Sequence, residues 1–319
     1  STPGTMYVTV TAYNRTTYLG SAPVIAPSGP YVVMATTIFD DAGGNGQVNP
    51  GESVDLGIYA RNVGVSTAYG VFGLLSESDP YVTLSTDSSY YGTITPDDSA
   101  LSSPYYEFSV AADCPNNHAV SFDLDFFDNN DSNWTSYPAF VVYAPILTYQ
   151  SVAVIGGNGN GILDPDETAD LVVTLKNDGG ATADNVTSTI IDVSSTYVTV
   201  DDASGNYGSI DPGATGDNSS DPYTVTADAG TPTGTQVQFT VEVEAGVYVD
   251  TFTFAIVVGK KHYFLWNPDP TPTPGQNMHT ILAGLGYTGD YSESSLAADL
   301  TMYQAAIVCV GIYSNNHVI

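Results

Sequence analysis

The residues best suited to chemistry in this chain are oxygen donors spaced along two glycine-rich stretches. The first is Asp40-Asp41-Ala42-Gly43-Gly44-Asn45-Gly46-Gln47-Val48-Asn49-Pro50-Gly51-Glu52, and the second is Gly157-Asn158-Gly159-Asn160-Gly161-Ile162-Leu163-Asp164-Pro165-Asp166-Glu167. Calcium takes roughly six to eight oxygens from a flexible loop, with glycine where the chain turns sharply. On that reading Asp41, Asn45, Asn49 and Glu52 are the ligands of one ion, and Asn158, Asn160, Asp164 and Glu167 those of a second, with backbone carbonyls added to each set. The match to an EF-hand loop is partial, because flanking helices are missing and the spacing is shorter. The same residues also read as Asn-Gly turns closed by Asx hydrogen bonds. Both readings stand on sequence alone.

Other chemistries find less support. Five Asn-x-Ser/Thr acceptors, at Asn14, Asn130, Asn133, Asn185 and Asn218, are glycosylation candidates in a secreted chain, although a sequence rich in Asn, Ser and Thr also produces such triplets by chance. A nucleophilic site would need Cys309 with a base such as His317. Cys309 instead sits in the apolar run Ala305-Ala306-Ile307-Val308-Cys309-Val310 and reads as a buried core thiol, while Cys114 precedes Pro115 in a turn. His118, His262 and His279 are scattered and suggest no zinc cluster. No phosphate loop or dinucleotide fingerprint is present. The expectation is a chain without catalytic residues.

Charge narrows the partners. With 35 Asp plus Glu against 5 Lys plus Arg, the net charge is −30. Such a chain cannot neutralise phosphates, which excludes nucleic acid and disfavours anionic membrane surfaces. No apolar run of about 18 residues exists to span a bilayer. Few salt bridges can form, so cohesion must come from sheets, from aromatics, and from any bound metal. The start at Ser1, without a signal peptide, reads as a processed chain or a fragment.

The elements that must position these loops are strands, and they come twice. Asn45-Gly46 through Asp55-Leu56 corresponds to Asn160-Gly161 through Asp170-Leu171 at an offset of 115 residues. Register continues through Arg61-Asn62-Val63-Gly64 and Lys176-Asn177-Asp178-Gly179, and through Tyr91-Gly92-Thr93-Ile94 and Tyr207-Gly208-Ser209-Ile210 with one residue inserted. Inside each copy, alternating segments such as Val54–Ala60 and Asp170–Leu175 are separated by Gly, Pro, Asn and Asp clusters, the pattern of half-buried strands in a β-sandwich. Residues 1–30 read as a hairpin around Tyr13-Asn14-Arg15, residues 31–145 and 146–259 as the two repeats, and residues 260–319 as a partial α/β module. In that module His262–Trp266 and Tyr303–Gly311 are the expected strands, Asn267–Pro274 a linker, and residues 276–286 a helix with Met278, Ile281, Leu282 and Leu285 at helical spacing.

The repeats resemble immunoglobulin-like modules of large bacterial surface proteins, through Asn49-Pro50-Gly51-Glu52 and Asp164-Pro165-Asp166-Glu167; the second copy departs from the pattern with Asp166 in place of glycine. Val8-Thr9-Val10-Thr11-Ala12 through Gly29-Pro30-Tyr31 is similar to the last strands of the immunoglobulin-like domain that follows gingipain-type cysteine peptidases. The stretch from Phe264-Leu265-Trp266 to His317 resembles a flavodoxin-like or amidotransferase-like module. The resemblance implies a mainly β chain of tandem immunoglobulin-like sandwiches followed by an incomplete α/β module. Tandem sandwiches, the extreme acidity, the richness in Tyr and Thr and the absence of a catalytic set point to an extracellular or cell-surface scaffold or filament subunit open to glycans, and the unpaired strand edges of the hairpin and of the partial α/β module to self-association into a polymer or surface layer. Two alternatives stay open at this point: a non-catalytic portion of a secreted gingipain-like peptidase, and a carbohydrate- or cell-binding adhesin.

Overall fold

Strict alternation along two ten-residue strands sets the cores. In Ser53–Asn62 the side chains of Val54, Leu56, Ile58, Ala60 and Asn62 are buried, and in Thr168–Asn177 those of Ala169, Leu171, Val173, Leu175 and Asn177. A period of two places each set on one sheet face, so both strands end with an asparagine on the apolar side. In the computed structural model, which describes residues 4–24, 28–268, 273–297 and 300–310, contacts divide the chain into two units, Ser1–Ala144 and Pro145–Ile319.

The first unit contains an immunoglobulin-like sandwich. One sheet runs Val32–Asp41, Ser53–Asn62, Tyr106–Val110, Val82–Thr86, with Ser99–Leu101 also paired to Ser53–Asn62. The facing sheet runs Asn133–Ser136, Asp123–Phe127, Ala68–Ser76, Ser88–Ile94. His118–Ser121 and Ala139–Val142 form a further pair. Phe108, Phe122 and Phe140 pack at the centre, with ring centroids 5.4 Å apart for Phe108–Phe122 and 5.1 Å for Phe108–Phe140. The hairpin of this unit pairs Gly4–Val10 antiparallel with Tyr18–Val24, and every residue of its first strand is exposed.

The second unit repeats the sandwich. Its sheets run Leu147–Gly156, Thr168–Asn177, Tyr223–Ala227, Val198–Asp202, and Ser204–Ile210, Ala183–Val193, Thr235–Ala245, Tyr248–Val258. Thr215–Asp217 takes the place that Ser99–Leu101 has in the first copy. The chain is thus mainly β, with tandem immunoglobulin-like sandwiches followed by a small α/β module.

That module is a three-stranded parallel sheet, Gly289–Ser292, Lys261–Trp266, Tyr303–Val308, with one helix, Thr273–Gly284. It corrects several sequence expectations. Gly289–Ser292 is a strand that the sequence reading missed, being short and without an apolar run. The helix starts three residues early and takes Pro274 into its first turn, where a missing N–H costs nothing. Part of the expected linker, residues 269–272, lies outside the described residues, as do residues 311–319 at the end of the expected last strand. The helix turns Gly275 to the sheet, where an added Cβ would lie 2.4 Å from the Asn267 side chain, and leaves Met278, Ile281 and Leu285 exposed. It packs over the first two strands of the module rather than Tyr303–Val308. That strand forms a sheet edge with Ala305 and Ala306 exposed, so Cys309 beyond it is half-buried and not a core thiol. Among the described residues no helix is long and apolar enough to cross a membrane.

Candidate functional site

The glycine-rich loops connect the first two strands of each sandwich, and their side chains close on one another. In the first, the Asn45 N–H donates to Asp41 Oδ2 at 3.0 Å and the Asn49 N–H to Glu52 Oε2 at 2.8 Å. Asn45 Nδ2 donates to Asn49 Oδ1 at 2.8 Å, and Asn49 Nδ2 to the Tyr143 carbonyl at 2.7 Å. In the second, Asp164 Oδ2 accepts from Asn158 Nδ2 at 2.8 Å and Asn160 Nδ2 at 2.7 Å. Glu167 accepts from the Asn158 N–H through Oε1 and from the Asp164 N–H through Oε2, the latter at 2.8 Å. All eight residues singled out by sequence therefore come together, four to a loop, as Asx and Glu turns. Among the described residues no group of three or more His, Cys, Asp and Glu is placed to hold a metal ion.

The electrostatics of the first loop are specific. Burial raises the Glu52 carboxyl above its ordinary range, and the Asp41 charge pushes the same way; the N–H groups of Asn49 and Gly43 only partly offset this. Gly43 lets the Glu52 carboxylate approach the backbone closely: a Cβ there would lie 2.4 Å from Glu52 Oε1, and the carboxylate would have to shift. Each loop also seals its module. Val48 and Leu163, the apolar residues inside these polar loops, are buried in the two cores. Val48 bridges to Val142 and accepts from the Tyr143 N–H at 3.0 Å, while the Gly259 N–H donates to the Leu163 carbonyl at 2.8 Å. The loops so fasten the last strand of each sandwich to its first hairpin.

Two polar fixtures inside the sandwiches escaped the sequence reading. Asn62 Oδ1 accepts from the N–H groups of Tyr31 (3.1 Å) and Gly64 (3.0 Å), and its Nδ2 donates to the carbonyls of Ser66 (2.8 Å) and Ile94 (2.9 Å). Asn177 repeats this with Ile146 (3.2 Å), Gly179 (2.9 Å), Ala181 (2.8 Å) and Ile210 (2.9 Å). The signal was present: the repeated Asn-x-Gly at the end of an alternating strand falls on the buried phase. The second fixture is a buried tyrosine pair. The hydroxyls of Tyr91 and Tyr106 lie 3.2 Å apart, and those of Tyr207 and Tyr223 lie 3.1 Å apart, with Ser188 Oγ also bonded to Tyr223. Burial pushes the Tyr106 phenol up to about 12 and drives Tyr91, Tyr207 and Tyr223 upward as well.

The remaining candidates separate. Asn14, Asn130, Asn133 and Asn185 are exposed. Asn218 is not: it is fully buried, and its side-chain carbonyl accepts from the Val173 N–H at 2.7 Å, which leaves no room for a sugar in the folded domain. Cys114 is buried, and burial together with the Asp79 and Asp113 charges pushes its thiol up to about 11. The pairing of Cys309 with His317 lies outside the described residues.

A cleft of about 600 Å³ opens beside the α/β module, at the edge where Lys261 and Gly289 begin their strands. Open parallel sheets bind ligands at the opposite, carboxyl edge. The Lys261 ammonium is held by Asp290 at 3.0 and 2.9 Å, and His279 Nδ1 lies 2.8 Å from the Tyr263 hydroxyl. Burial works against the Asp290 carboxylate, but its bonds to Lys261 and Tyr303 outweigh this and hold it below the usual range. The polar groups of this cleft are thus already paired with each other.

No family model matches the chain, and no curated protein sequence does. Among solved structures, the C-terminal domain of the Streptococcus agalactiae AgI/II polypeptide BspA is similar at 9% identity, over 72% of this chain and 100% of that one, with a TM-score of 0.34. A likeness of that size carries no argument about function.

Proposed function

We propose that this chain is a structural length of an extracellular or cell-surface protein, a scaffold or filament subunit whose sandwiches are repeated to supply extent and surface. The observation that carries this reading is that duplication preserved the internal fixtures rather than any reactive constellation. The four-bonded asparagine, the tyrosine pair and the sealing loop recur in both copies. Tandem modules add stability and length repeat by repeat. A strongly acidic, cation-poor surface keeps such a chain solvated and free of polyanions.

The test is location and removal. Antibody raised against residues 31–259 should label intact cells of the source organism, and brief surface proteolysis should release the antigen. Labelling that requires permeabilised cells would overturn the reading.

A further inference from the structure

Three asparagines of the two glycine-rich loops stand directly before glycine: Asn45-Gly46, Asn158-Gly159 and Asn160-Gly161. Glycine has no side chain to shield its amide nitrogen, so that nitrogen can reach the Cγ of a preceding asparagine and close a succinimide ring. All three asparagines are exposed, and their glycines sit at φ +77°, +80° and +79° with nothing within 4 Å of where a Cβ would be. Their side-chain carbonyls are also held alike. Asn45 Oδ1 accepts from the Gln47 N–H at 2.7 Å, Asn158 Oδ1 from the Asn160 N–H at 3.0 Å, and Asn160 Oδ1 from the Ile162 N–H at 2.8 Å. An N–H on that oxygen polarises the carbonyl and steadies the negative charge that grows there when Cγ is attacked.

The three differ at the attacking nitrogen. The Gly159 N–H donates to the Gly156 carbonyl at 3.0 Å, whereas the N–H groups of Gly46 and Gly161 meet no acceptor among the described residues. An amide nitrogen must give up its proton to attack, and a proton bonded to a carbonyl is harder to remove. Losing one such bond slows the step by about fivefold. Asn158 and Asn160 share a loop and an acceptor, Asp164 Oδ2, at 2.8 and 2.7 Å, so the bond at Gly159 is what separates them.

We propose that Asn45 and Asn160 are self-modifying sites of the folded chain, losing their side-chain amides to water through succinimides with Gly46 and Gly161, while Asn158 is spared. The glycine nitrogen gives its proton to water and bonds to Cγ. The Cγ–Nδ2 bond breaks, and the amide nitrogen takes up a proton and leaves as ammonia. Water then opens the imide at either carbonyl, leaving aspartate or isoaspartate, so that asparagine and water become aspartic acid and ammonia.

The products act on the loops that close each sandwich. At position 160 a carboxylate oxygen replaces an amide that donated to Asp164, and two like charges meet where a hydrogen bond was. At position 45 the lost donor served Asn49 Oδ1, and Asn49 cannot turn its own amide round without releasing the Tyr143 carbonyl at 2.7 Å. The isoaspartate product also lengthens the backbone by one carbon, in loops that hold Val48 and Leu163 in the cores. Each sandwich so carries a weakening that advances with age.

The test is peptide mapping by tandem mass spectrometry of the whole chain, aged in mildly alkaline buffer at body temperature, both folded and in urea. In the folded chain Asn45 and Asn160 should gain one mass unit and split into aspartate and isoaspartate forms, with Asn158 at least about fivefold slower. In urea, where the bond to Gly156 is gone, all three should react at one pace. Asn158 keeping pace in the folded chain, or Asn45 or Asn160 staying inert there, would overturn the assignment. Asn160→Asp carries the product in advance and should lower the melting transition of the second sandwich; an unchanged transition would refute the weakening of the loop.

Discussion

Replacing Asn177 by leucine removes one side chain and strands four backbone groups. The carbonyls of Ala181 and Ile210 are buried, and each loses its amide donor at 2.8 and 2.9 Å. The N–H groups of Ile146 and Gly179 are only partly buried, at 3.2 and 2.9 Å from Oδ1, and can turn to water. An unsatisfied buried group costs about 1–3 kcal/mol and a partly hydrated one about 0.5 kcal/mol, so the four together come to about 5 kcal/mol. Leucine returns little of this, since the site is lined by backbone polar atoms. A domain of this size is stable by roughly 5–15 kcal/mol, and at roughly 4 °C per kcal/mol the melting point should fall by about 20 °C. Calorimetry of the whole chain is the assay, because it carries its own control: Asn177→Leu should move the transition of the second sandwich and Asn62→Leu that of the first. A shift under about 4 °C, equivalent to about 1 kcal/mol, would refute the claim that these amides hold the strand ends.

Three further outcomes follow from the titrating groups. Burial holds the Tyr106 phenol up at about 12, above its ordinary value near 10, and Tyr91 is raised in the same direction, so the stability these phenols contribute should be constant below about pH 10 and decline as pH rises toward 12. Tyr91→Phe/Tyr106→Phe should flatten that decline in the first sandwich, as followed by circular dichroism, and an unchanged alkaline midpoint would contradict it. Glu52→Gln keeps an acceptor for the Asn49 N–H and removes the repulsion from Asp41, so at neutral pH the first transition should hold or rise by a few degrees. Because the folded carboxyl is raised, that advantage should vanish as the pH falls through the carboxylate range and Glu52 protonates itself; a marked loss at neutral pH would sink the reasoning. Finally, lowering the pH from neutral toward the isoelectric point near 4.1 removes self-repulsion, and light scattering should climb steeply; a flat trace would show that charge does not restrain association.

How much was legible in the sequence depended on which force decided the residue's place. The sandwiches were legible because alternation and repeated turns both report burial directly: Val54, Leu56 and Ile58 lie in the core as their period requires. The loops were legible as places, since all eight oxygen-bearing residues do converge, four to a loop. Asn62 and Asn177 entered the sequence reading only as members of the repeat and were missed as core residues, because propensity assigns asparagine to loops and only strand phase shows that these two point inward. Asn218 fitted a surface motif, while its depth is set by a pairing of Thr215–Asp217 that leaves no trace in local sequence. The α/β module was least legible. Helical spacing of Met278, Ile281 and Leu285 suggested a buried stripe, but the close approach of Gly275 to Asn267 turned a different face of the helix to the sheet.

The scarcity of cations explains why the interior is built as it is. Four ion pairs occur among the described residues: Arg61–Asp97, His118–Asp79, Lys176–Asp178 and Lys261–Asp290. Arg61–Asp97 is separated by 3.6 Å with both side chains largely in water, and such pairs contribute little. A chain with 35 carboxylates and 5 basic side chains cannot tie its strand ends with charge. A neutral amide does the same work without a counter-ion: it both donates and accepts, so one asparagine satisfies two carbonyls and two N–H groups at the point where each sandwich is entered. The paired tyrosines follow the same logic, filling the gap between sheets with rings while each hydroxyl gives the other a partner. Because these fixtures are uncharged, the core does not depend on the cations that the chain lacks.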